Sequence, residues 1–489
     1  MWNPRALRLG DLGRFVAVAA CSILLLTACT RSGGAPPPSL TTGPPPSSTT
    51  GPDFPRRPDI VLVVTDDQRW DSLGGMPAVQ QHLVSEGVRF SNAFVVDPLC
   101  CPSRASILTG TYAHTTGVYA NSGRYGGWRA FHRGSESSTV ATWLQDAGYR
   151  TGLFGKYLNG YRSLEIPPGW DRVFAFVSPR PSYFGYTVND DGVEVSYGFD
   201  PKDYATDVVA AEAAEFIRTT PRNEPLFLWV GESAPHLPAL PAPRHETVTI
   251  PDAPSPPPNF NEVDVSDKPR HIRQLGPVGP GAVAGVRERG ARSLLAVDDA
   301  VERIVAALRR SGRLETTMIV FTSDNGRSLG EHRWNYKLAP YEETIRVPLI
   351  VRFDALGSQS KVIGRLALNI DLAPTFAELA GIQPAAEIEG RSLLPLLLAD
   401  DAEWRRDFLI EHLRTDRDGA PEIPTYCAIR SVRWKYVRYE TGERELYDLR
   451  RDPYELDNVA LAPRATSLLR RMERRLIEEC DPPPPGFVL

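Results

Sequence analysis

Residues 59 to 67 read Asp59-Ile60-Val61-Leu62-Val63-Val64-Thr65-Asp66-Asp67, an unbroken apolar run that ends in two acids. A strand with one solvated face alternates apolar and polar residues, whereas a continuous apolar run is typical of a parallel strand buried on both faces. Two adjacent carboxylates at the end of such a strand repel each other unless a cation lies between them. The stretch favours an α/β fold with a divalent cation at Asp66 and Asp67, although a turn or helix cap also explains an isolated acid pair.

Further apolar runs alternate with amphipathic helical patterns along the chain, which predicts an α/β/α sandwich. The apolar runs predict strands at 149–154, 225–231 and 316–322. The amphipathic patterns predict helices at 139–148, 204–219 and 292–311. Polar residues follow the last two of these strands. His236 lies between two prolines, either as a structural residue or in a position to protonate a leaving alcohol. Asp324 and Asn325 add oxygen ligands for a cation, with an ordinary turn as the alternative.

The segment Cys100-Cys101-Pro102-Ser103-Arg104 has the features of a loop that turns into a helix. Pro102 suits the first helical turn, whose free N–H groups and positive end favour a thiolate or another anion near Cys100. Arg104 adds a fixed cation with a planar fork that matches an oxyanion. These residues predict either a nucleophile beside an anion site or a buried structural pair of cysteines.

The same segment, continued through Thr109-Gly110, resembles the C-x-P-S-R signature of the sulfatase family. The resemblance covers the chain from residue 58 to residue 460 and implies the alkaline-phosphatase-like α/β/α fold. It also implies that a formylglycine-generating enzyme oxidises Cys100 to formylglycine before the chain folds. A Ca²⁺ ion, or Mg²⁺ in its place, would then be held by five ligands: Asp66, Asp67, residue 100, Asp324 and Asn325.

The family resemblance also implies roles for the other site residues. One hydroxyl of the formylglycine hydrate attacks sulfur, His236 protonates the departing alcohol, and the second hydroxyl then loses its proton and expels sulfate. Three cations compensate the charge on the sulfuryl oxygens: Arg104, Lys156 and Lys337. Three further residues are expected to support these groups from beside them: Ser103, Asn159 and His332. Outside the family context, Lys156 would be a solvated charge and His332 a structural residue.

The segment Gly155-Lys156-Tyr157-Leu158-Asn159 departs from the common family pattern, in which a histidine stands where this chain has Leu158. This version is similar to N-acetylglucosamine-6-sulfatases and extracellular heparan endosulfatases, and it leaves the base that acts on the hydrate unassigned. We expect a sulfuric ester hydrolase that acts on a sulfated carbohydrate of the N-acetylglucosamine 6-sulfate type or on an aryl sulfate. The alternatives are a phosphodiesterase or phosphonate monoester hydrolase on the same fold, and an inactive glycan-binding lipoprotein.

The amino terminus reads as a targeting segment rather than as part of a core. Three arginines precede a short apolar stretch at 15–26, and Leu26-Thr27-Ala28-Cys29 resembles a bacterial lipobox with Cys29 as the lipidated residue. We expect residues 1–29 to be a lipoprotein signal peptide, with a plain signal peptide as the alternative. Residues 30–57 are rich in Pro, Gly, Ser and Thr and are expected to be an extended tether. The chain would be exported and anchored by lipid on the outer side of a bacterial membrane.

The remainder of the chain is predicted as a catalytic domain at 58–404 and a C-terminal subdomain at 405–489, with a Pro-rich loop at 237–285. Short alternating segments predict a four-strand meander, followed by a helix at 468–479 with Ser467 as its N-cap. Cys427 and Cys480 either form a disulfide, as export permits, or remain thiols. With 55 Lys and Arg against 60 Asp and Glu, the charge balance argues against nucleic acid as a partner.

Overall fold

The computed structural model of the protein describes residues 57–177, 182–250, 256–357, 360–384, 387–414 and 422–489. The predicted signal peptide, its Cys29 and all but the last residue of the predicted tether lie outside the described residues. Within the described ranges, no helix has the length and apolar character that a membrane span requires.

The described residues contain a large sheet and a small one, built from β-strands with these bounds: β1 (Asp59–Thr65), β2 (Val88–Phe94), β3 (Arg150–Gly155), β4 (Arg172–Phe176), β5 (Thr187–Asp190), β6 (Val193–Ser196), β7 (Leu226–Gly231), β8 (Thr317–Ser323), β9 (Leu349–Phe353), β10 (Lys361–Leu368), β11 (Asp407–His412), β12 (Tyr426–Ser431), β13 (Trp434–Tyr439) and β14 (Arg444–Asp448). The α-helices are α1 (Pro77–Val79), α2 (Cys100–Thr109), α3 (Ala113–Thr116), α4 (Gly127–Gly134), α5 (Val140–Asp146), α6 (Ala205–Thr219), α7 (Arg270–Arg273), α8 (Pro280–Arg310), α9 (Glu342–Ile345), α10 (Leu372–Leu379), α11 (Leu394–Leu398) and α12 (Thr466–Glu479).

The large sheet has the strand order β10-β2-β9-β8-β1-β7-β3-β4-β5-β6, with β1 near its middle. β1 pairs in parallel with β7 on one side and β8 on the other, and β7 pairs in parallel with β3. β9 runs antiparallel to both of its neighbours, so the sheet is mixed. Because β1, β3, β7 and β8 are parallel, their carboxyl ends meet at one edge, and the residues that follow them gather there.

The side chains of β1 explain why its sequence is apolar throughout. Ile60 and Leu62 pack on one face of the sheet, in a core that includes residues of α2, α5 and α10. Val61 and Val63 pack on the other face, against residues of α6 and α8. Alternate residues of a strand point to opposite faces, so a strand covered by helices on both sides needs apolar residues at every position. The predicted α/β/α sandwich is confirmed.

The C-terminal segment forms the predicted four-strand meander. β11 to β14 pair antiparallel in sequence order, and Cys427 and Cys480 form a disulfide between β12 and the end of α12. Leu99, which immediately precedes Cys100, lies with Phe408 and Tyr447 in a third apolar core shared between this sheet and the β2 end of the large sheet. The boundary between residues 404 and 405 stays a prediction.

Two details of the sequence prediction are wrong. The last predicted part of the Pro-rich loop belongs to α8, which begins at Pro280 rather than near residue 292. Pro is favoured in the first helical turn, and Pro280 starts a helix whose early glycines, Gly281 and Gly285, are poor helix formers that conceal it in the sequence. The predicted cap Ser467 lies inside α12, because a preceding turn places Ala465 at the N-cap position.

Candidate active site

The strand ends bring together acids that are far apart in the sequence. Asp66 and Asp67 follow β1, and Asp324 and Asn325 follow β8, which pairs with β1 in parallel. The Asp67 backbone N–H donates to Asp324 Oδ1 at 3.2 Å. Asp67 has a φ of +67°, a left-handed conformation that Asp tolerates better than most residues. These four residues are buried at the edge of the sheet where the sequence predicts a cation site.

Cys100 begins α2 and points into this group of acids. Its Sγ donates to Asp66 Oδ1 at 3.3 Å and accepts from Lys337 Nζ at 2.8 Å. Burial, together with the negative charge of Asp66, raises the pKa of the thiol to about 12. The prediction that the helix end favours a thiolate here is therefore wrong, because loss of hydration outweighs the helix dipole. The unmodified side chain is a neutral thiol at physiological pH.

The acids and Asn325 fit a divalent cation. Ligand atoms of Asp66, Asp67, Cys100 and His236 lie within 4.8 Å of one another. Asn325 Nδ2 donates to Asp67 Oδ1 at 2.7 Å, while the buried Asn325 Oδ1 has no hydrogen-bond partner in the described part of the chain. A buried amide oxygen without a partner is costly unless something binds it. Carboxylates with an amide oxygen are the hard ligands that Ca²⁺ and Mg²⁺ prefer.

Each of the three acids is paired with a buried cation. Lys156 Nζ donates to Asp66 Oδ2 at 2.5 Å, and Lys337 Nζ donates to Asp67 Oδ1 at 2.7 Å. Arg104 Nε donates to Asp324 Oδ2 at 2.7 Å. Burial opposes ionisation of Asp67, but the positive charges of Lys337 and His236 lower its pKa to about 2. The pKa of Asp66 is also lowered: burial raises it, and the charge of Lys156 more than offsets that effect. Lys156 is thus a buried charge rather than a solvated one.

His236 is the most exposed of the charged side chains around the acids and marks the open side of the site. The His236 side chain is 25% exposed, whereas that of Lys337 is 3% exposed. His236 Nδ1 lies 2.8 Å from the Leu237 carbonyl oxygen, which leaves Nε2 to face Asp67 Oδ2 at 3.9 Å. The Tyr183 hydroxyl donates to the His236 carbonyl oxygen at 2.7 Å and fixes the turn. His236 Nε2 is therefore held beside Asp67 at the more exposed part of the site.

Arg327 is a site residue that the sequence analysis missed. Its Nη1 lies 3.3 Å from Asp67 Oδ2, so it is a fourth fixed cation beside the three acids. The available signal was its position directly after Asp324-Asn325-Gly326 at the end of a strand. Tyr183 carries no comparable signal, because its contact depends on where a distant loop packs.

The residues predicted to support the site lie elsewhere or make other contacts. The Ser103 hydroxyl accepts from Asn369 Nδ2 at 2.9 Å. His332 Nδ1 lies 2.6 Å from Glu262 Oε2, in a separate buried cluster. The Asn159 carbonyl oxygen accepts from the Trp128 backbone N–H, and its Oδ1 has no partner among the described residues. Leu158 packs in the apolar core, so no titratable side chain stands at that position.

Comparison with known proteins defines the class. The sulfatase family model matches residues 58–382, and the model described as N-sulphoglucosamine sulphohydrolase, C-terminal, matches residues 330–481. The chain therefore belongs to the sulfatase family of enzymes. Its large sheet with helices on both faces is the alkaline-phosphatase-like fold that the sequence predicts.

Two curated relatives and one solved structure show which sulfatases this chain is similar to. The N-acetylglucosamine-6-sulfatase of Homo sapiens is 33% identical over 88% of this chain and 86% of its own. An extracellular sulfatase SULF-1 homolog of Drosophila melanogaster is 36% identical over 73% of this chain, which spans only 33% of that protein's length. A solved structure in complex with D-glucosamine-2-N,6-O-disulfate has a TM-score of 0.76 and 24% identity, and it covers 87% of this chain and 98% of its own.

Proposed function

We propose that the protein hydrolyses the sulfate ester of a sulfated carbohydrate, with N-acetylglucosamine 6-sulfate as the best candidate, and that Cys100 acts after conversion to formylglycine. The observation that carries this proposal is the position of residue 100, between Asp66 and Lys337 at the edge of the sheet. The side chain there is aimed at the cation site, yet as a thiol it is neutral and enclosed. Chemical conversion gives the position a role that the thiol cannot perform.

The surrounding residues suit this chemistry. Formylglycine supplies, as its hydrate, two hydroxyls on one carbon, one to attack sulfur and one whose proton loss expels sulfate. Asp66, Asp67, Asp324 and Asn325 would hold the cation, which would supply Lewis acidity to the reaction. Lys156, Lys337 and Arg104 remain fixed by their acids and stabilise negative charge without rearranging.

His236 is the proton donor for the leaving alcohol. Its Nδ1 is held by the Leu237 carbonyl oxygen, so the proton that can be given to substrate is the one on Nε2, at the open side of the site. The nearby Asp67 carboxylate stabilises the charged imidazolium that this step needs. Leu158 excludes proton transfer at the position where related sequences have histidine.

The substrate class rests on the relatives. Proteins named N-acetylglucosamine-6-sulfatase cover most of this chain at about a third identity. Arg327 adds a further cation beside Asp67, which suits a substrate that carries negative charge. Aryl sulfates would enter the same site as small substrates.

Burial of Cys100 and the disulfide support the proposal of export and early maturation. Cys100 is fully buried in the folded chain, so a formylglycine-generating enzyme must act before folding is complete. The Cys427–Cys480 disulfide suits an oxidising compartment. These features support an exported protein, with lipid attachment at Cys29 and Ca²⁺ in the site as further parts of the proposal.

Mass spectrometry of the Cys100 peptide tests the maturation step. Protein made together with a formylglycine-generating enzyme should show an aldehyde at residue 100, and protein made without it should keep the thiol. The matched control is Cys101→Ser, which removes the neighbouring buried thiol and should leave conversion intact. A folded, exported sample that retains its Cys100 thiol would refute the mechanism.

A substrate panel tests the chemistry. We expect release of sulfate from N-acetylglucosamine 6-sulfate and from 4-nitrophenyl sulfate. Faster turnover of a phosphodiester or phosphonate monoester would assign the protein to that alternative. If protein that carries the aldehyde binds sulfated glycan without hydrolysing it, the protein is instead the inactive glycan-binding lipoprotein.

A further inference from the structure

A second buried group of metal-ligating residues lies apart from the catalytic centre. His332, Glu343 and Glu455 each offer a ligand atom, and these atoms lie within 4.8 Å of one another. His332 comes from the loop after β8, Glu343 from α9, and Glu455 from the segment after β14. All three are buried. We call these three residues, with Asn259, the His332 cluster.

The histidine is already oriented as a metal ligand would be. Its Nδ1 lies 2.6 Å from Glu262 Oε2, and Lys268 Nζ lies 3.1 Å from the other oxygen of Glu262. With Nδ1 placed against the Glu262 carboxylate, Nε2 is the ring nitrogen left to face the cluster. In the neutral ring with its proton on Nδ1, Nε2 carries the lone pair, the arrangement seen when a carboxylate orients a metal-bound histidine.

Two buried oxygens in the cluster lack partners. Asn259 Nδ2 lies 3.3 Å from His332 Nε2 and 2.9 Å from Glu343 Oε1, which places the amide group between them. Asn259 Oδ1 and Glu343 Oε2 have no hydrogen-bond partner in the described ranges. The Asn259 side chain is fully buried, so water does not satisfy its oxygen from outside.

The charges in the cluster are also incompletely compensated. Glu455 Oε1 lies 2.6 Å from Lys435 Nζ, and its Oε2 accepts from the Glu342 backbone N–H at 3.0 Å. Glu342 shares Lys435 and also pairs with Arg430. Glu343 has no ion pair with lysine or arginine among the described residues. A buried carboxylate without a counter-charge is expensive and needs a proton or a cation.

We propose that His332, Glu343 and Glu455, assisted by Asn259, form a structural site for a divalent transition metal such as Zn²⁺. One imidazole nitrogen with carboxylate oxygens selects such ions over Ca²⁺ and Mg²⁺, which take oxygen ligands alone. The ion binds the lone pair of His332 Nε2 and the unpartnered oxygen of Glu343, and it supplies the missing positive charge. It would join the segment after β14 to the loop that follows β8.

Crystals of the full chain dialysed against Zn²⁺ locate the ion directly. Anomalous difference density at the zinc edge should appear among His332, Glu343 and Glu455, whether or not the catalytic centre also binds zinc. Density at the catalytic centre alone would overturn the proposal. This measurement needs neither a variant nor an active enzyme, so its outcome is independent of the proposed sulfatase mechanism.

Glu343→Gln distinguishes a bound metal from a protonated Glu343 carboxyl group, because glutamine has the shape of a protonated glutamic acid. With a metal site, the variant loses one bound Zn²⁺ per chain and loses the rise in Tm that Zn²⁺ gives the wild type. If the carboxyl is merely protonated, zinc content and Tm stay unchanged, and the proposal fails. The control is Glu445→Gln, a buried glutamate whose oxygens already accept from Tyr341, Tyr439 and Tyr447; it should retain its zinc.

Discussion

The catalytic centre and the His332 cluster are two buried groups of charges that solve the same electrostatic problem differently. At the catalytic centre, Asp66, Asp67 and Asp324 each have a lysine or arginine, and one side is open past His236. In the His332 cluster, Glu343 has no such partner within the described ranges, and no member is more than 8% exposed. Under the two proposals, the first group would receive and release an anion, and the second would hold the chain together around a metal ion.

The two groups are mechanically connected through one short segment. The Gly326 backbone N–H, just after Asn325, donates to the Thr344 carbonyl oxygen at 2.9 Å. A Cβ at Gly326 would collide with the carbonyl oxygen of Glu343, so glycine is needed for this close approach. The backbone of Glu343 and Thr344 thus packs directly against the segment that carries Asp324 and Asn325. Substitutions in the two groups are expected to differ in whether they change catalytic activity or the free energy of unfolding.

Removal of metals should give the largest difference. Chelation is expected to lower sulfatase activity by about 10³-fold or more, because the cation at the catalytic centre supplies the Lewis acid. Added Ca²⁺ should restore activity, whereas added Zn²⁺ should restore the Tm lost through the His332 cluster. Activity and Tm are measured on the same chelated sample. Recovery of both properties by Ca²⁺ alone would remove the distinction between the two sites.

Substitution of one buried lysine at the catalytic centre, and of one that supports the His332 cluster through Glu262, should separate catalysis from stability. Lys337→Met is expected to lower kcat by roughly 10²- to 10³-fold, since it removes a fixed cation beside the reacting atoms. Lys268→Met breaks the buried pair with Glu262 and should cost about 3 kcal/mol of unfolding free energy. The folded fraction of Lys268→Met should keep its kcat. Equal losses of kcat in both variants would contradict the comparison.

Arg327→Met should have a smaller effect than either lysine substitution. We expect kcat/KM for an anionic sugar sulfate to fall about tenfold, equivalent to ~1.4 kcal/mol, with most of the change in KM. Turnover of 4-nitrophenyl sulfate should change less, and Arg327→Lys should recover part of the loss. Steady-state kinetics on the two substrates checks this. A uniform fall in kcat for both substrates would place Arg327 among the groups that act on sulfur itself.

The pH dependence of stability should have opposite signs in the two groups of the metal-free protein. Lys337 and His236 lower the pKa of Asp67 from 3.8 to about 2 despite burial, so its contribution is present above pH 4 and is lost as pH falls towards 2. Burial raises the pKa of Glu455 from 4.5 to about 7, although Lys435 opposes this. Its contribution is therefore lost as pH rises from 4.5 through 7.

Urea unfolding of metal-free protein across this pH range measures both effects. Glu455→Gln should flatten the change between pH 4.5 and 7 and leave the acid limb in place. A Glu455→Gln profile identical to that of the wild type would show that another group titrates there.

The sequence predicts correctly those features that depend on a single segment or on the general geometry of parallel strands. Continuous burial of β1 predicts the sandwich, and parallel strands bring Asp66 and Asp324 to one edge whatever the loops do. The helix-end argument for Cys100 failed because desolvation depends on how many distant residues close over the thiol. Arg327 follows Asp324-Asn325-Gly326 directly, but its contact with Asp67, 260 residues away, depends on how the two strand ends meet. The His332 cluster depends on contacts between separate loops, for which local patterns carry no signal.

The third apolar core has a consequence for the order of events during synthesis. Leu99 lies in the same apolar core as Phe408 and Tyr447, which the ribosome makes about 310 and 350 residues later. At ~5–20 residues per second, roughly 20 to 70 seconds pass between the two. During that interval the nascent chain carries Cys100 without the residues that will enclose its neighbour. Chain order itself thus provides a timed opening for a modifying enzyme, and a circular permutant that makes the C-terminal sheet first would shorten it.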